Sequence, residues 1–121
     1  MPFLFAFAML LGQAKESPIV CNLNALTPTQ REHHAQLTAR LKAAITTTED
    51  VEGGYRFHSI STLPSADLFQ WVDFEQRCCP FLDFETRIDR ENGERRLQLT
   101  GRTGVKQLIA AEFGDEGPAF V

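Results

Sequence analysis

The residues of this 121-residue chain that are best able to do chemistry lie at positions 75–81, which read EQRCCPF. This run places Cys78 and Cys79 side by side, with Glu75 about one helical turn before them. It contains two of the three cysteines in the sequence. Thiolates bind soft metal ions, attack electrophiles and form disulfides. The run therefore predicts a cysteine-centred site.

The helix that carries this run makes its cysteines poor nucleophiles. Residues 65–79 have the period of an amphipathic helix that ends at Pro80, and Glu75 falls inside its apolar stripe of Leu68, Trp71, Val72 and Cys79. A helix C-terminus and a neighbouring carboxylate both disfavour a thiolate. The two cysteines also lack the intervening pair of residues of a thioredoxin-like motif. A soft metal ion reverses this balance, because it neutralises the negative charge and deprotonates its thiol ligands.

Further ligands for such an ion occur earlier in the sequence. Cys21 precedes and His34 follows Thr27, the predicted N-cap of the first helix, so one local segment can bring both side chains to the same helix end. We therefore predict a site for zinc, copper or mercury with ligands drawn from Cys21, His34, Glu75, Cys78 and Cys79. Three cysteines are not a disulfide framework. On oxidation, a bridge from Cys21 to one of the pair is more ordinary than a strained bridge within the pair.

Two other functions fit the same residues. The first is a thiol-dependent enzyme in which Glu75 donates a proton while the thiols act on an organometal or a peroxide. Organomercurial lyases combine two thiols with an acid in this way, which is an analogy without a shared motif. The second is a structural or interaction domain, because free cysteine is among the most frequently buried residue types.

Periodicity along the chain predicts a single α+β domain with the order helix, strand, helix, strand, strand, helix. The first helix spans residues 27–48, and Thr27, Pro28 and Gln30 form its capping box. After the helix-breaking glycines at 53–54, residues 55–60 alternate as a strand, and the helix of residues 65–79 follows with Ser65 as its N-cap.

The second half of the chain reads as a hairpin and a short helix. Residues 82–89 and 96–100 alternate as two strands joined by a turn at Asn92 and Gly93. Residues from Val105 form the last helix, which Gly114 stops. A right-handed crossover between the first two strands predicts a small three-stranded mixed sheet, with the helices packed on one face and an open edge that favours a homodimer.

Composition and charge exclude some classes of partner. Hydrophobic residues make up 43% of the chain and charged residues 23%, which is ordinary for a globular protein. A net charge of −4 argues against binding to nucleic acid, whose affinity comes mainly from clustered Lys and Arg. We therefore expect a metal ion or a small thiophilic ligand as the partner.

The two ends of the chain differ from its middle. Residues 1–19 are predicted to be an apolar leader or an N-terminal arm, residues 20–113 the domain, and residues 114–121 a tail. The apolar run at positions 1–11 is too short for a membrane span, which needs ~20 residues. It lacks the basic start of a signal peptide, which favours the cytoplasm; residues 1–14, as a true signal peptide, would instead place the protein in the periplasm or outside the cell.

Several separated elements also match a known pattern. They are Cys21, the Thr27-Pro28 start with Arg31 and His34, the GYRF segment at 54–57, Trp71 with the run at 75–81, and the LQLTG segment at 97–101. Together they resemble a family of small bacterial proteins marked by a Glu-x-x-Cys-Cys-Pro-Phe motif, over roughly residues 20–113. The family has no settled activity. The resemblance therefore supports the choice of site residues and implies no reaction.

Overall fold

A computed structural model describes residues 18–114, so most of the predicted N-terminal leader and most of the predicted tail lie outside the described residues. A short 3-10 helix, Leu23–Ala25, precedes helix α1 (Pro28–Ala44). Strands β1 (Thr47–Val51) and β2 (Gly54–His58) follow, and then helix α2 (Ser65–Cys78). Strands β3 (Asp83–Ile88) and β4 (Arg95–Thr100) lead to helix α3 (Val105–Gly114). The α+β class is confirmed.

The sheet differs from the prediction. It has four strands in the order β1-β2-β4-β3, and every pairing in it is antiparallel, so the predicted three-stranded mixed sheet and its element order were wrong. β2 and β3 do point in the same direction, because each is antiparallel to β4. They are not neighbours, however, since β4 lies between them.

The additional strand, β1, lies where the sequence predicts the end of the first helix. α1 ends at Ala44, and the threonines at 46–48 begin an extended segment, because β-branched residues favour strands over helices. Gly53 adopts a positive φ of 79° in the two-residue turn between Val51 and Gly54. Glu52 and Gly53 therefore form a hairpin turn between two strands, and Gly54 is the first residue of β2, so the glycines do not mark a break after a helix.

The two faces of the sheet have opposite character. Phe57, Leu97 and Leu99 are buried on one face, where Phe113 of α3 packs on Phe57 and Trp71 of α2 packs on Phe113. The other face is polar: Arg56 donates to Glu49 and to Gln98, and Gln98 donates to Glu85. The helices therefore cover one face, as predicted, and they are held in position over it.

α1 and α2 pack against each other through a small number of specific contacts. Thr27 and Gln30 form the predicted capping box at the start of α1. The indole Nε1 of Trp71 donates to the Thr38 hydroxyl at 2.9 Å, which satisfies a buried donor between the two helices. α2 begins at Ser65, so Pro64 and not Ser65 is its N-cap, without a side-chain cap. None of the described helices is long and apolar enough to cross a membrane.

Candidate metal and thiol site

The segment before α1 is fastened to the C-terminal end of α2. The backbone N–H of Asn22 donates to the carbonyl of Cys78 at 2.7 Å, and the Asn22 side chain accepts from the N–H of Asn24 as the cap of the 3-10 helix. These bonds bring the neighbouring Cys21 to the paired cysteines. The convergence of all three cysteines is therefore supported by backbone hydrogen bonds as well as by their sulfurs.

The sulfurs are present in two chemical forms. Cys21 and Cys79 form a disulfide, whereas Cys78 is a free thiol. The oxidised form therefore contains the Cys21 bridge expected from the sequence and not a bridge within the pair. The Cys78 Sγ lies 3.6 Å from the Cys79 Sγ, at van der Waals contact. Cys78 and Cys79 are completely buried, and Cys21 is partly exposed.

Glu75 lies beside the sulfurs, and its side chain is buried although it ends in a carboxyl group. The residue is 1% exposed, which agrees with its predicted place inside the apolar stripe of α2. Its Oε1 lies 3.1 Å from the Cys79 Sγ and 3.8 Å from the Cys78 Sγ. Cys79 has no proton to donate while it is in the disulfide, so the shorter approach is a contact and not a hydrogen bond. The Oε2 atom of Glu75 has no hydrogen-bond partner among the described residues.

His34 reaches the same carboxylate from α1. Its Nε2 lies 3.5 Å from the Oε1 of Glu75, too far for a well-formed hydrogen bond, and has no other hydrogen-bond partner in the described part of the chain. His34 is 8% exposed, and its ring is stacked on Trp71 with 6.4 Å between centroids. The interaction with Glu75 raises the pKa of His34, against the effect of burial, which lowers it. His34 therefore faces the interior of the protein.

A second carboxyl group, Glu112 of α3, faces this cluster. Burial, followed by the negative charge of Glu75, raises the pKa of Glu112 from its ordinary value of 4.5 to about 7. The sequence analysis did not include Glu112 in the site. A signal was present, however, because Glu112 falls in the apolar stripe of the last helix, as Glu75 falls in the stripe of α2.

The free thiol is held in its protonated form. Burial, followed by the charge of Glu75, raises the pKa of Cys78 from 9.0 to about 12. This direction agrees with the expectation that a helix C-terminus and a carboxylate disfavour a thiolate. Cys78 is therefore a weak nucleophile in this environment, and a cation is needed to stabilise its thiolate.

Two overlapping groups of side chains have the separations of metal ligands. Cys21, Glu75 and Cys79 form one group, and His34, Glu75 and Cys78 form the other; in each, the ligand atoms lie within 4.8 Å of one another. Glu75 belongs to both. The structure therefore brings together all five residues that the sequence singled out, whereas His58 lies elsewhere, on the polar face of the sheet beside Glu49.

A cleft of about 700 Å³ connects the cluster with the surface. Cys21, His34, Glu75 and Glu112 line its inner part. The α1 residues Ala35, Thr38, Ala39, Lys42 and Ala43 and the exposed Leu23 complete the lining. Neither Cys78 nor Cys79 lines the cleft. Cys21 is therefore the sulfur that the cleft presents to a molecule from solution.

Comparison with known proteins adds no relative from which a function can be transferred. No protein-family model, curated protein or solved structure matches this chain. The resemblance to small bacterial proteins with a Glu-x-x-Cys-Cys-Pro-Phe motif therefore stays a prediction. Functional conclusions depend on the geometry of the cluster, which contains thiols, carboxylates and an imidazole that can hold a metal ion, together with a disulfide that joins two of the thiols.

Proposed function

We propose that the reduced protein binds a thiophilic metal ion, of the zinc, copper or mercury type, through Cys21, Cys78 and Cys79, with Glu75 and His34 as further ligands. One observation carries the proposal: a buried carboxylate with an unpartnered oxygen lies in contact with converging sulfurs. A buried polar atom without a hydrogen bond is costly, and ligation of a cation by that oxygen removes the cost.

The spacing of the sulfurs suits such an ion. Zinc–sulfur bonds of about 2.3 Å in a tetrahedral site place two sulfurs about 3.8 Å apart. The 3.6 Å between the Sγ atoms of Cys78 and Cys79 is already close to that separation. Reduction of the disulfide allows Cys21 to move away from Cys79 to a similar distance. The Asn22 to Cys78 backbone hydrogen bond keeps Cys21 close while it does so.

The charges of the cluster also favour a soft cation. Three thiolates and the Glu75 carboxylate would repel one another in the buried site, and a thiophilic ion compensates them while it deprotonates the thiols. Thiolate ligands select soft ions over magnesium or calcium, which prefer oxygen. The proposed role is therefore metal sensing, buffering or resistance.

Anaerobic titration of the fully reduced protein, freed of reductant, tests the proposal. Cobalt serves as a spectroscopic probe for zinc, and copper(I) and mercury(II) are titrated separately. We expect thiolate charge-transfer absorption that saturates at one ion per chain. The Cys78→Ser/Cys79→Ser double variant should lose it. Absence of absorption in the wild-type protein, or equal absorption in the double variant, would refute metal binding at this site.

His33 and His34 are neighbours, so replacing each in turn tests whether His34 is the nitrogen ligand. His34→Ala should weaken binding by about 10-fold or more, because it removes a buried ligand of the cluster. His33→Ala should leave binding unchanged, because His33 is exposed and its ring contacts Phe74 rather than the sulfurs. Equal effects of the two substitutions would remove His34 from the proposed ligand set.

A thiol-dependent enzyme acting on an organometal is the second candidate, and the carboxyl groups favour it. Glu75 contacts the Cys79 sulfur, and the pKa of about 7 at Glu112, raised mainly by burial, provides an acid close by. Release of hydrocarbon from a simple organomercurial, in catalytic amounts, would establish turnover. Stoichiometric binding without release would support the metal site alone.

A further inference from the structure

The cleft beside the disulfide is larger than a bare metal ion needs, and it has features of a site for an organic molecule. Its volume of about 700 Å³ lies in the range of small-molecule pockets. Three alanines line it on α1 at four-residue intervals, so one side of the cleft has no bulky side chains. Two buried polar atoms that accept or donate no hydrogen bond within residues 18–114 belong to residues that line it: Glu75 Oε2, and His34 Nε2, whose nearest polar atom is Glu75 Oε1 at 3.5 Å. They indicate a ligand at its inner end.

The reactive group of that end is the disulfide. Cys21 is the partly exposed member and lines the cleft, whereas Cys79 is completely buried. The chemistry that a disulfide sulfur in a cleft offers is exchange with a thiol that enters from solution. Attack at Cys21 rather than at Cys79 follows from access, because the body of α2 covers Cys79.

The charges along the cleft restrict which thiol fits. Lys42 lies eight residues after His34 on α1, so the Cα atoms of the two residues are about 12 Å apart along the helix. The Lys42 ammonium group lies over the Phe113 ring and acts through space on the neighbouring Glu112. No carboxylate lies within ion-pair distance of this ammonium group among residues 18–114. A ligand with its sulfur at Cys21 and a carboxylate at Lys42 must be larger than cysteine. A three-residue peptide spans about 10 Å and fits that distance.

We propose that the cleft binds a peptide-sized, carboxylate-bearing low-molecular-weight thiol, which opens the Cys21–Cys79 disulfide by attacking the Cys21 sulfur. The ligand carboxylate pairs with Lys42, and its ammonium group pairs with Glu112, which lines the same cleft. This function goes beyond metal binding and does not depend on it. If both hold, the thiol converts the closed, oxidised form into the form that presents all three thiolates.

The reaction balances with two molecules of thiol. The first thiolate forms a bond with the Cys21 sulfur while the Cys21–Cys79 bond breaks; the electron pair passes to the Cys79 sulfur, which takes up the proton that the thiol lost. A second thiol then attacks the ligand sulfur of this mixed disulfide and releases Cys21 as a thiol. In sum, two thiols are oxidised to one small disulfide, and the protein disulfide is reduced to two thiols.

Kinetics of disulfide opening test this inference with two probes. Glutathione is the charged, tripeptide-sized probe, and 2-mercaptoethanol is the small uncharged one. The oxidised protein is mixed with each, quenched with acid, and digested to locate the mixed disulfide by mass spectrometry. We expect the adduct on Cys21. An adduct on Cys79, or air-oxidised protein without a Cys21–Cys79 disulfide, would overturn the proposal.

Two lysine variants separate docking from general reactivity. Lys42→Met should lower the rate constant for glutathione by about 5-fold, the size of one exposed or half-buried ion pair, and leave that for 2-mercaptoethanol unchanged. Lys106→Met makes the same charge change at a lysine that pairs with Asp50, away from the cleft, and should alter neither rate. Equal changes with both thiols, or no change, in the Lys42 variant would overturn the proposal. Metal titration of the reduced protein is independent of this outcome, because that titration contains no small-molecule thiol.

Discussion

Replacing Glu112 with glutamine should change how the stability of the oxidised protein depends on pH. Burial and the charge of Glu75 raise the pKa of Glu112 from 4.5 to about 7 in the folded protein. A carboxyl with a raised pKa binds its proton more tightly when the protein is folded. The favourable contribution of protonated Glu112 to the free energy of unfolding is therefore complete below about pH 4.5. It is lost as the pH rises through about 7.

The size of the effect on stability follows from the difference between the pKa of Glu112 in the folded protein and its ordinary value. A pKa change of this size corresponds to about 3 kcal/mol at its full value. Glu112 is only partly buried, and solvent screens it, so we expect about 2 kcal/mol. The Glu112→Gln variant should therefore be about 2 kcal/mol more stable than the wild-type protein at pH 8 and of nearly equal stability at pH 5.

Urea denaturation at pH 5 and pH 8, followed by the fluorescence of the single tryptophan, measures the difference in stability between variant and wild type at each pH. Glu91→Gln is the control, because Glu91 is exposed in the loop between β3 and β4. The raised pKa of His34 also lowers stability as the pH rises above 6.5. Glu75 is the main cause of that rise and Glu112 the smallest, so most of this contribution is present in wild type and variant alike. An equal loss between pH 5 and pH 8 in wild type and Glu112→Gln would refute the reasoning.

Three further outcomes are expected. Gly54→Ala should lower the free energy of unfolding by about 3 kcal/mol in urea denaturation, because the new Cβ would overlap the backbone carbonyl of Leu99. Gly93→Ala, in open space at a positive φ, should lower it by about 1 kcal/mol. Similar losses in the two variants would contradict the packing argument. Thr38→Val should cost about 1–3 kcal/mol, since it leaves the buried indole N–H of Trp71 without its acceptor; an unchanged denaturation midpoint would show that water replaces the hydroxyl. Metal affinity should rise at least tenfold between pH 6 and pH 7, with proton release in weakly buffered solution. The reason is that the pKa of Cys78 is about 12, so the metal must displace the proton of this thiol when it binds. A pH-independent affinity would mean that this thiol is not a ligand.

The sequence predicted those features that depend on local pattern. The capping box at Thr27, the place of Glu75 within the apolar stripe of α2 and the hairpin at Gly93 each follow from a few neighbouring residues. The convergence of Cys21 with the cysteine pair does not follow from local pattern. It depends on the contact between Asn22 and Cys78, which no periodicity encodes.

The features that the sequence did not predict depend on tertiary structure. β1 is exposed and contains no apolar alternation, and its pairing with β2 stabilises it against the helical pattern that precedes it. Glu112 became part of the cluster only because α3 packs over the same face of the sheet as α2. Its position in an apolar stripe indicated burial, but a stripe does not identify what the buried side chain faces.

The buried carboxyl groups and the three cysteines together explain why one cluster suits two states. In the oxidised protein the Glu75 carboxyl group raises the pKa of both His34 and Glu112, so each of these neighbours holds its proton more tightly than it does in water. Reduction adds two thiols to the free one and makes proton compensation less effective, because further thiolates would repel the carboxylate. In the metal-bound form that we propose, a thiophilic cation would supply the positive charge instead. The two proposed steps would then favour each other: opening of the Cys21–Cys79 bond would supply the ligands, and the metal ion would stabilise the charge that they carry.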